Sequence, residues 1–153
     1  MTYSVSRALV VRFYETYASQ DAGQLAPFLD DNIEWIVSGP VDVLSWCGTH
    51  RGKAAAIDLV DRIIPGLFSV VSVARSSILL DTDRVATLNR LTIRRHADDR
   101  VISFRLAHFM RFADDKVVSI LSLLDSFDAV EQMLGHPLAV HAHAAETGDF
   151  VVV

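Results

Sequence analysis

Nearly sixty residues of the chain, from 67 to 125, alternate between apolar and polar side chains, and this pattern restricts the fold more than any other feature. A period of two residues is typical of β-strands that have one face buried and the other in water. Acidic turns at 81–83, 97–99 and 113–115 divide the region into four long strands joined by hairpins. The pattern therefore predicts a strongly curved antiparallel sheet.

The first half of the chain has the periodicity of helices instead. Apolar residues at every fourth position over 4–17 are typical of an amphipathic helix. Asp21 can cap a second helix, while Pro65 and Gly135 mark the ends of two later helices. We predict helices at 4–17, 21–28, 51–64 and 126–134, and a first strand at 32–39. Helices followed by a run of strands predict an α+β domain.

Composition and charge restrict the class of protein. A chain of 153 residues with 51% apolar and 22% charged residues is typical of one packed globular domain. A net charge of −5 disfavours nucleic-acid binding, because phosphates are neutralised by clustered Lys and Arg. No apolar stretch reaches the roughly 18 residues that cross a bilayer, and no leader segment is recognisable. Because Cys47 is the single cysteine, an internal disulfide is excluded, and we expect a cytoplasmic protein.

Four stretches, in this order along the chain, resemble a known family. They are Phe13-Tyr14, DAGQLAPFLDDNIEW (21–35), GTHRGKAAAI (48–57) and HFMRFADDKVVSILSLLD (108–125). Together they resemble the SnoaL-like branch of the NTF2-like superfamily, to which ketosteroid isomerase and limonene-epoxide hydrolase also belong. The resemblance extends over about residues 5–135, so we expect a SnoaL-like domain at 1–135 and a C-terminal tail at 136–153.

The resemblance implies a cone-shaped, cystatin-like roll, in which a curved antiparallel sheet wraps the N-terminal helices around a deep apolar pocket. It also implies a small hydrophobic ligand, no cofactor, and a homodimer packed through the sheet. We expect the dimer face to carry Val85, Thr87, Leu91 and Ile93, because an apolar face left in water becomes an interaction surface. A two-fold axis then brings the same face of both copies together.

The family's catalytic positions are only partly matched in this chain. The positions similar to the isomerase's tyrosine, general-base aspartate and protonated acid hold Phe13, approximately Val37, and His108. None of these residues reproduces the carboxyl groups with tuned pKa values on which that enzyme depends. Proton abstraction by the isomerase's mechanism is therefore not expected.

Arg90, within the predicted strand 85–95, is the residue that most needs an explanation. Arg90 and Asp125 resemble the arginine and the distal aspartate of the epoxide hydrolase, whereas Thr92 replaces its first aspartate. In the family's geometry the face with Arg90 points into the cavity, and a buried guanidinium needs a partner such as Asp125. Three interpretations stay open: a structural ion pair, a pair that also binds a carbonyl or enolate oxygen, and an exposed arginine.

Alternation through the next strand sends His108 toward the same cavity as Phe104, Leu106 and Met110. His108 is either a catalytic base that relays a proton or a cavity-lining histidine satisfied by one hydrogen bond. We take Arg90, His108 and Asp125 as the candidate catalytic residues and expect their side chains to meet.

Several other side chains are suited to hold a flat apolar ligand, although core packing is the alternative for aromatic residues on helix faces. Trp46 lies in a predicted loop and is expected near the pocket mouth. The candidate ligand-binding residues are Tyr14, Tyr17, Trp35, Trp46, Thr92 and Met110.

Two clusters are poor candidates for chemistry. Cys47 and His50 suggest a thiol and its base, but their spacing recurs by chance and no third group orients them. In the tail, His136, His141 and His143 have no cysteine or fixed carboxylate at ligand spacing, so no metal site is expected. The final residues FVVV are apolar enough to dock onto a neighbouring subunit.

Two hypotheses of different classes follow. The first is a cofactor-independent hydrolase, cyclase or isomerase that acts on a small hydrophobic carbonyl or epoxide compound. The second is a non-catalytic NTF2-like module that binds a ligand or a protein partner. Arg90 and Asp125 favour the enzyme, whereas Thr92 in place of an aspartate favours the binding module.

Overall fold

The structure, a computed structural model, describes residues 3–139. Its helices are Arg7–Ser19 (α1), Ala22–Leu25 (α2), Lys53–Asp58 (α3), Ile64–Leu67 (α4) and Ser126–Leu134 (α5). Its strands are Leu29–Ser38 (β1), Gly48–Arg51 (β2), Phe68–Asp81 (β3), Arg84–Arg95 (β4), Val101–Ala113 (β5) and Lys116–Leu124 (β6). A 3₁₀ turn, Ala26–Phe28, extends α2, and a π-helical turn, Leu59–Ile63, joins α3 to α4.

The six strands form one curved sheet in the order β2-β1-β6-β5-β4-β3. The four predicted hairpin-linked strands are β3 to β6, which confirms the α+β fold. Strand β2 had been predicted as a loop. Strand β1 runs parallel to its neighbour β6, so these two strands are not joined by a hairpin.

Helix α1 shows how the sequence positions the core. The hydroxyl of Ser6 accepts a hydrogen bond from the amide of Leu9 at 3.1 Å, so the helix begins three residues later than the periodicity predicted. Its buried side chains include Phe13 and Tyr14, which belong to the same core as the inner face of the sheet. The helix therefore brings a phenol into contact with the strands.

The inner face of β5 carries Leu106 and His108, as predicted, but the predicted inner face of β4 is wrong. Thr87 and Asn89 are buried in the core, and Arg90 is exposed on the outer face. The register of the two strands is the physical reason. Thr87 lies opposite His108 and Asn89 opposite Leu106, and residues directly opposite each other share a face of the sheet.

The same error affects the predicted dimer face. Val85, Thr87, Leu91 and Ile93 are all buried within the core of one subunit, so they form no outer surface. The outer face of β4 carries Ala86 and Leu88 instead.

Within residues 3–139, no helix is long and apolar enough to cross a membrane. The predictions that concern His141, His143 and the final FVVV lie outside the described residues. Of the predicted tail, His136 is described, and its Nδ1 lies 2.9 Å from the carbonyl oxygen of Pro137.

Candidate functional site

A largely enclosed cavity of about 50 Å³ lies between the end of α1, the α3–α4 segment and the inner face of the sheet. Eighteen residues line it, and none of them is Asp, Glu, Lys or Arg. A volume of about 10–15 Å³ is the least that admits one water molecule, so the cavity has room for water or for a very small ligand group. Its polar side-chain groups come from Tyr17, Gln20, His108 and Ser122 and from the indoles of Trp35 and Trp46.

A chain of hydrogen bonds runs through the core behind His108. The Tyr14 hydroxyl lies 2.8 Å from His108 Nδ1 and 2.5 Å from Thr87 Oγ1. Asn89 Nδ2 donates to Thr87 Oγ1 at 3.1 Å and to the carbonyl oxygen of Leu106 at 3.4 Å. Two buried side-chain atoms within the described residues have no partner, His108 Nε2 and Asn89 Oδ1. Buried polar atoms are nearly always paired, so these two need an explanation.

The groups of this site are uncharged at neutral pH. Burial lowers the pKa of His108 from 6.5 to about 4, because the charged imidazolium is poorly solvated there. Burial likewise raises the pKa of Tyr17 to about 12, and it raises that of Tyr14 well above its usual value. The Arg75 guanidinium lies 4.7 Å from the centroid of the Tyr14 ring, a cation–π contact on the exposed edge strand. The site can therefore donate and accept hydrogen bonds but supplies no formal charge.

The predicted catalytic cluster of Arg90, His108 and Asp125 does not form. Arg90 is exposed on the outer face of the sheet, where it lies directly opposite Arg105. The carboxylate of Asp125 accepts from Arg105 instead, at 3.1 Å, and the two side chains are 31% and 65% exposed. A pair as exposed as this contributes about 0–1 kcal/mol to stability. Only His108 of the three lines the cavity.

Three of the predicted ligand-binding residues line the cavity, namely Tyr17, Trp35 and Trp46. Trp35 is fixed in place because its indole N–H donates to Ser122 Oγ at 2.9 Å. Tyr14 does not line the cavity, since it stands behind His108 and holds it through Nδ1.

The other two predicted ligand-binding residues lie elsewhere. Thr92 is on the face opposite the buried Leu91 and Ile93, and its hydroxyl donates to Ser103 Oγ at 3.1 Å. Met110 faces the core as predicted, but it lies at the far end of β5 and is not part of the cavity wall. Thr92 was wrongly predicted because the inner and outer faces of β4 were exchanged. Met110 was wrongly predicted because the cavity does not extend to the far end of β5.

The polar residues that the sequence prediction missed are Thr87 and Asn89, which it had placed away from the pocket. Their signal was present in the pattern: two uncharged polar side chains, two positions apart, interrupt a face that is otherwise Val85, Leu91 and Ile93. A polar pair on an apolar strand face indicates a buried hydrogen-bond network.

The Cys47 thiol is buried, which raises its pKa to about 11 and leaves it protonated and weakly nucleophilic at neutral pH. His50 Nε2 lies 3.2 Å from the carbonyl oxygen of Trp46. Between residues 3 and 139, no group of three or more His, Cys, Asp or Glu side chains is arranged to hold a metal ion.

A curved six-stranded sheet that wraps N-terminal helices around an internal cavity defines an NTF2-like protein. The model of the SnoaL-like domain matches residues 10–120, and the chain belongs to that family. None of the curated proteins compared with the chain matches it.

Several solved structures have a fold similar to that of this protein. A protein from Rhodopseudomonas palustris described as a candidate isomerase is 29% identical, with a TM-score of 0.78, over 86% of this chain and 100% of that one. An NTF2-like protein from Burkholderia xenovorans is 22% identical, with a TM-score of 0.67, over 82% and 92%. TerC, which was co-crystallised with polyporic acid, is 14% identical, with a TM-score of 0.72, over 83% and 96%. The last two likenesses concern the fold alone.

Proposed function

We propose that this protein binds a small, mainly apolar carbonyl compound in the cavity and activates it without a cofactor, as an isomerase or cyclase. The observation that carries the proposal concerns Nε2 of His108, a buried atom in the wall of an apolar cavity that has no hydrogen-bond partner within residues 3–139. A ligand oxygen bound there supplies the missing hydrogen-bond partner. The 29% identical candidate isomerase supports the reaction class.

The chemistry follows from the neutral state of the site. A neutral imidazole and the Tyr17 hydroxyl, both in the cavity wall, can stabilise negative charge that develops on a carbonyl oxygen during enolisation, while a water molecule admitted to the cavity takes the α-proton. The apolar walls strengthen these hydrogen bonds, since little water competes for them. Hydrolysis of an epoxide is less well supported, because none of the described residues that line the cavity has a carboxylate to activate a water molecule.

A non-catalytic binding module is the second candidate. The lining residues include no Asp, Glu or Lys that would accept a proton from carbon at neutral pH, which favours binding without turnover. Enolisation separates the two candidates, since only the enzyme accelerates the exchange of the α-protons of a bound ketone for deuterium.

Cyclopentanone, a small ketone with α-protons, provides the test. We expect the wild-type protein to bind it and to shift its infrared carbonyl band to lower wavenumber, because a hydrogen bond weakens the C=O bond. His108→Leu should remove this shift, whereas Arg90→Met, on the outer face of the same sheet, should retain it. Deuterium exchange followed by proton NMR should be at least about tenfold faster with wild type than with His108→Leu. A carbonyl band that does not shift with the wild-type protein would contradict the proposal. A shifted band without faster deuterium exchange would show that the protein binds the ketone but does not enolise it.

We also propose a homodimer packed through the outer face of the sheet. Leu79, Leu88, Phe109 and Leu123 are exposed there. Phe109 lies between Ala86 and Leu121 on the neighbouring strands, so the apolar surface is continuous. A shallow groove of about 540 Å³ follows the same surface. A surface of this kind is suited to a second copy of itself.

Sedimentation at micromolar concentration tests the dimer. Phe109→Asp should produce monomers, because placing a charge at the centre of an apolar interface costs about 2 kcal/mol or more. Val43→Asp is the matched control, since Val43 has a similar exposure but lies in the loop between β1 and β2 and not on a strand, and this variant should stay dimeric. A wild-type monomer under these conditions would exclude the interface.

A further inference from the structure

We propose that Asn89, Thr87 and Tyr14 form a one-way chain of hydrogen bonds that holds the proton of neutral His108 on Nε2. The point beside His108 Nε2 therefore favours a ligand atom that accepts a hydrogen bond over one that donates. The ligand half of this inference rests on the proposed function. The part that concerns the imidazole rests only on hydrogen bonds within the protein.

The direction of the chain begins at Asn89. Its amide nitrogen lies 3.4 Å from the carbonyl oxygen of Leu106, which can only accept a hydrogen bond. Turning the amide over would bring two carbonyl oxygens together, so the NH₂ group must face this side. The same NH₂ group donates to Thr87 Oγ1 at 3.1 Å and occupies one of its lone pairs. Thr87 is left with one proton to give.

The Thr87 proton decides which way the rest of the chain runs. If Thr87 donates to Tyr14, then Tyr14 donates to His108 Nδ1, and every donor of the three side chains has an acceptor. In the reverse direction, Nδ1–H donates to Tyr14 and Tyr14 donates to Thr87. The Thr87 proton then has no acceptor among the described residues, at a site that is 4% exposed. A buried unpaired donor disfavours that arrangement on the order of tenfold or more.

The forward direction makes Nδ1 an acceptor, so the single proton of the neutral ring is on Nε2. Nε2 is also the ring nitrogen that has no partner within the described residues. A ketone oxygen can accept from this N–H. An N–H or O–H group placed at the same point would face another donor and stay unpaired. The hydrogen-bond chain therefore makes His108 a donor toward the cavity. Thr87, Asn89 and Tyr14 are positioning residues, because they fix the location of the His108 proton.

Nitrogen NMR tests the tautomer directly. In ¹⁵N-histidine-labelled protein at pH 7, the His108 signals are those that disappear in His108→Leu. We expect Nε2 to show the shift of a protonated ring nitrogen and Nδ1 that of an unprotonated one. The opposite assignment would overturn the inference, whatever binds in the cavity.

Variants test the positioning role. Tyr14→Phe removes the hydrogen-bond partner that Nδ1 has among the described residues, so the two nitrogen shifts should move toward each other as both forms become populated. Tyr17→Phe is the matched control, because Tyr17 lines the cavity but is not a member of the chain, and its spectrum should match wild type. Thr87→Ser keeps the hydroxyl and should also match wild type. Unchanged shifts in Tyr14→Phe would mean that Tyr14 does not position the proton.

Three five-membered rings test the selectivity: cyclopentanone accepts, pyrrole donates, and cyclopentene does neither. We expect cyclopentanone to bind at least about tenfold more tightly than pyrrole, with a smaller preference in Tyr14→Phe. Tighter binding of pyrrole would overturn the inference while leaving a ligand site in place. Failure of all three to bind would remove the proposed function, and the nitrogen spectrum would still decide the tautomer.

Discussion

Acidification from pH 7 to pH 4 is expected to destabilise the fold by on the order of 3 kcal/mol through one imidazole. Burial lowers the pKa of His108 from 6.5 to about 4 in the folded protein. Between these two values the unfolded chain binds the proton and the folded chain does not, so stability falls as the pH falls. Above pH 6.5 both states are neutral at this residue, and its contribution does not change.

Urea unfolding at pH 7, 5.5 and 4 measures this effect. Carboxylates add their own pH dependence, so the informative quantity is the difference between wild type and His108→Leu. The leucine variant should lack this part of the slope. At pH 7 it should also lose about 1–3 kcal/mol, because the buried Tyr14 hydroxyl loses its acceptor on His108. His96→Leu, at an exposed histidine, is the control for the replacement of an imidazole by leucine. Parallel curves for wild type and His108→Leu would show that His108 titrates as an exposed residue does.

Trp35→Ala is expected to cost about 3–5 kcal/mol of unfolding free energy, the usual loss for a large aromatic residue in a core. Trp35 is only 1% exposed, its ring lies 5.8 Å from that of Tyr17, and its N–H is bonded to Ser122. The variant removes all of these contacts and joins the vacated space to the cavity. If it stays folded, we expect it to bind acetophenone, which is too large for the wild-type cavity.

Trp35→Phe is the matched control for the second prediction. It keeps an aromatic ring and loses the hydrogen bond to Ser122, so its loss of stability should be clearly smaller than that of Trp35→Ala. Denaturant unfolding measures both variants. A loss below about 1 kcal/mol for the alanine variant would mean that the site collapses and that the cavity is not rigidly supported by Trp35.

The fold was largely predictable because its signals are local in the sequence. Acidic turns separated the four long strands, and alternation placed His108 on the inner face of β5. Gly135 closes α5 in the left-handed conformation, with φ of 76°, that glycine adopts without strain. Strand β2 was missed, since its four residues, Gly48–Arg51, are too few for a period to be recognised.

The site was less predictable, because its geometry depends on contacts between residues distant in the sequence. Alternation by itself determined that Arg90 and Asn89 lie on opposite faces of β4, and this is correct. Both faces of β4 mix polar and apolar residues, so the signal from the uncharged pair Thr87 and Asn89 was not enough to decide which face is inner. The register with β5 decided it, since a shift by one residue exchanges the two faces. Tertiary structure alone therefore placed Asn89 in the core behind His108 and left Arg90 in water.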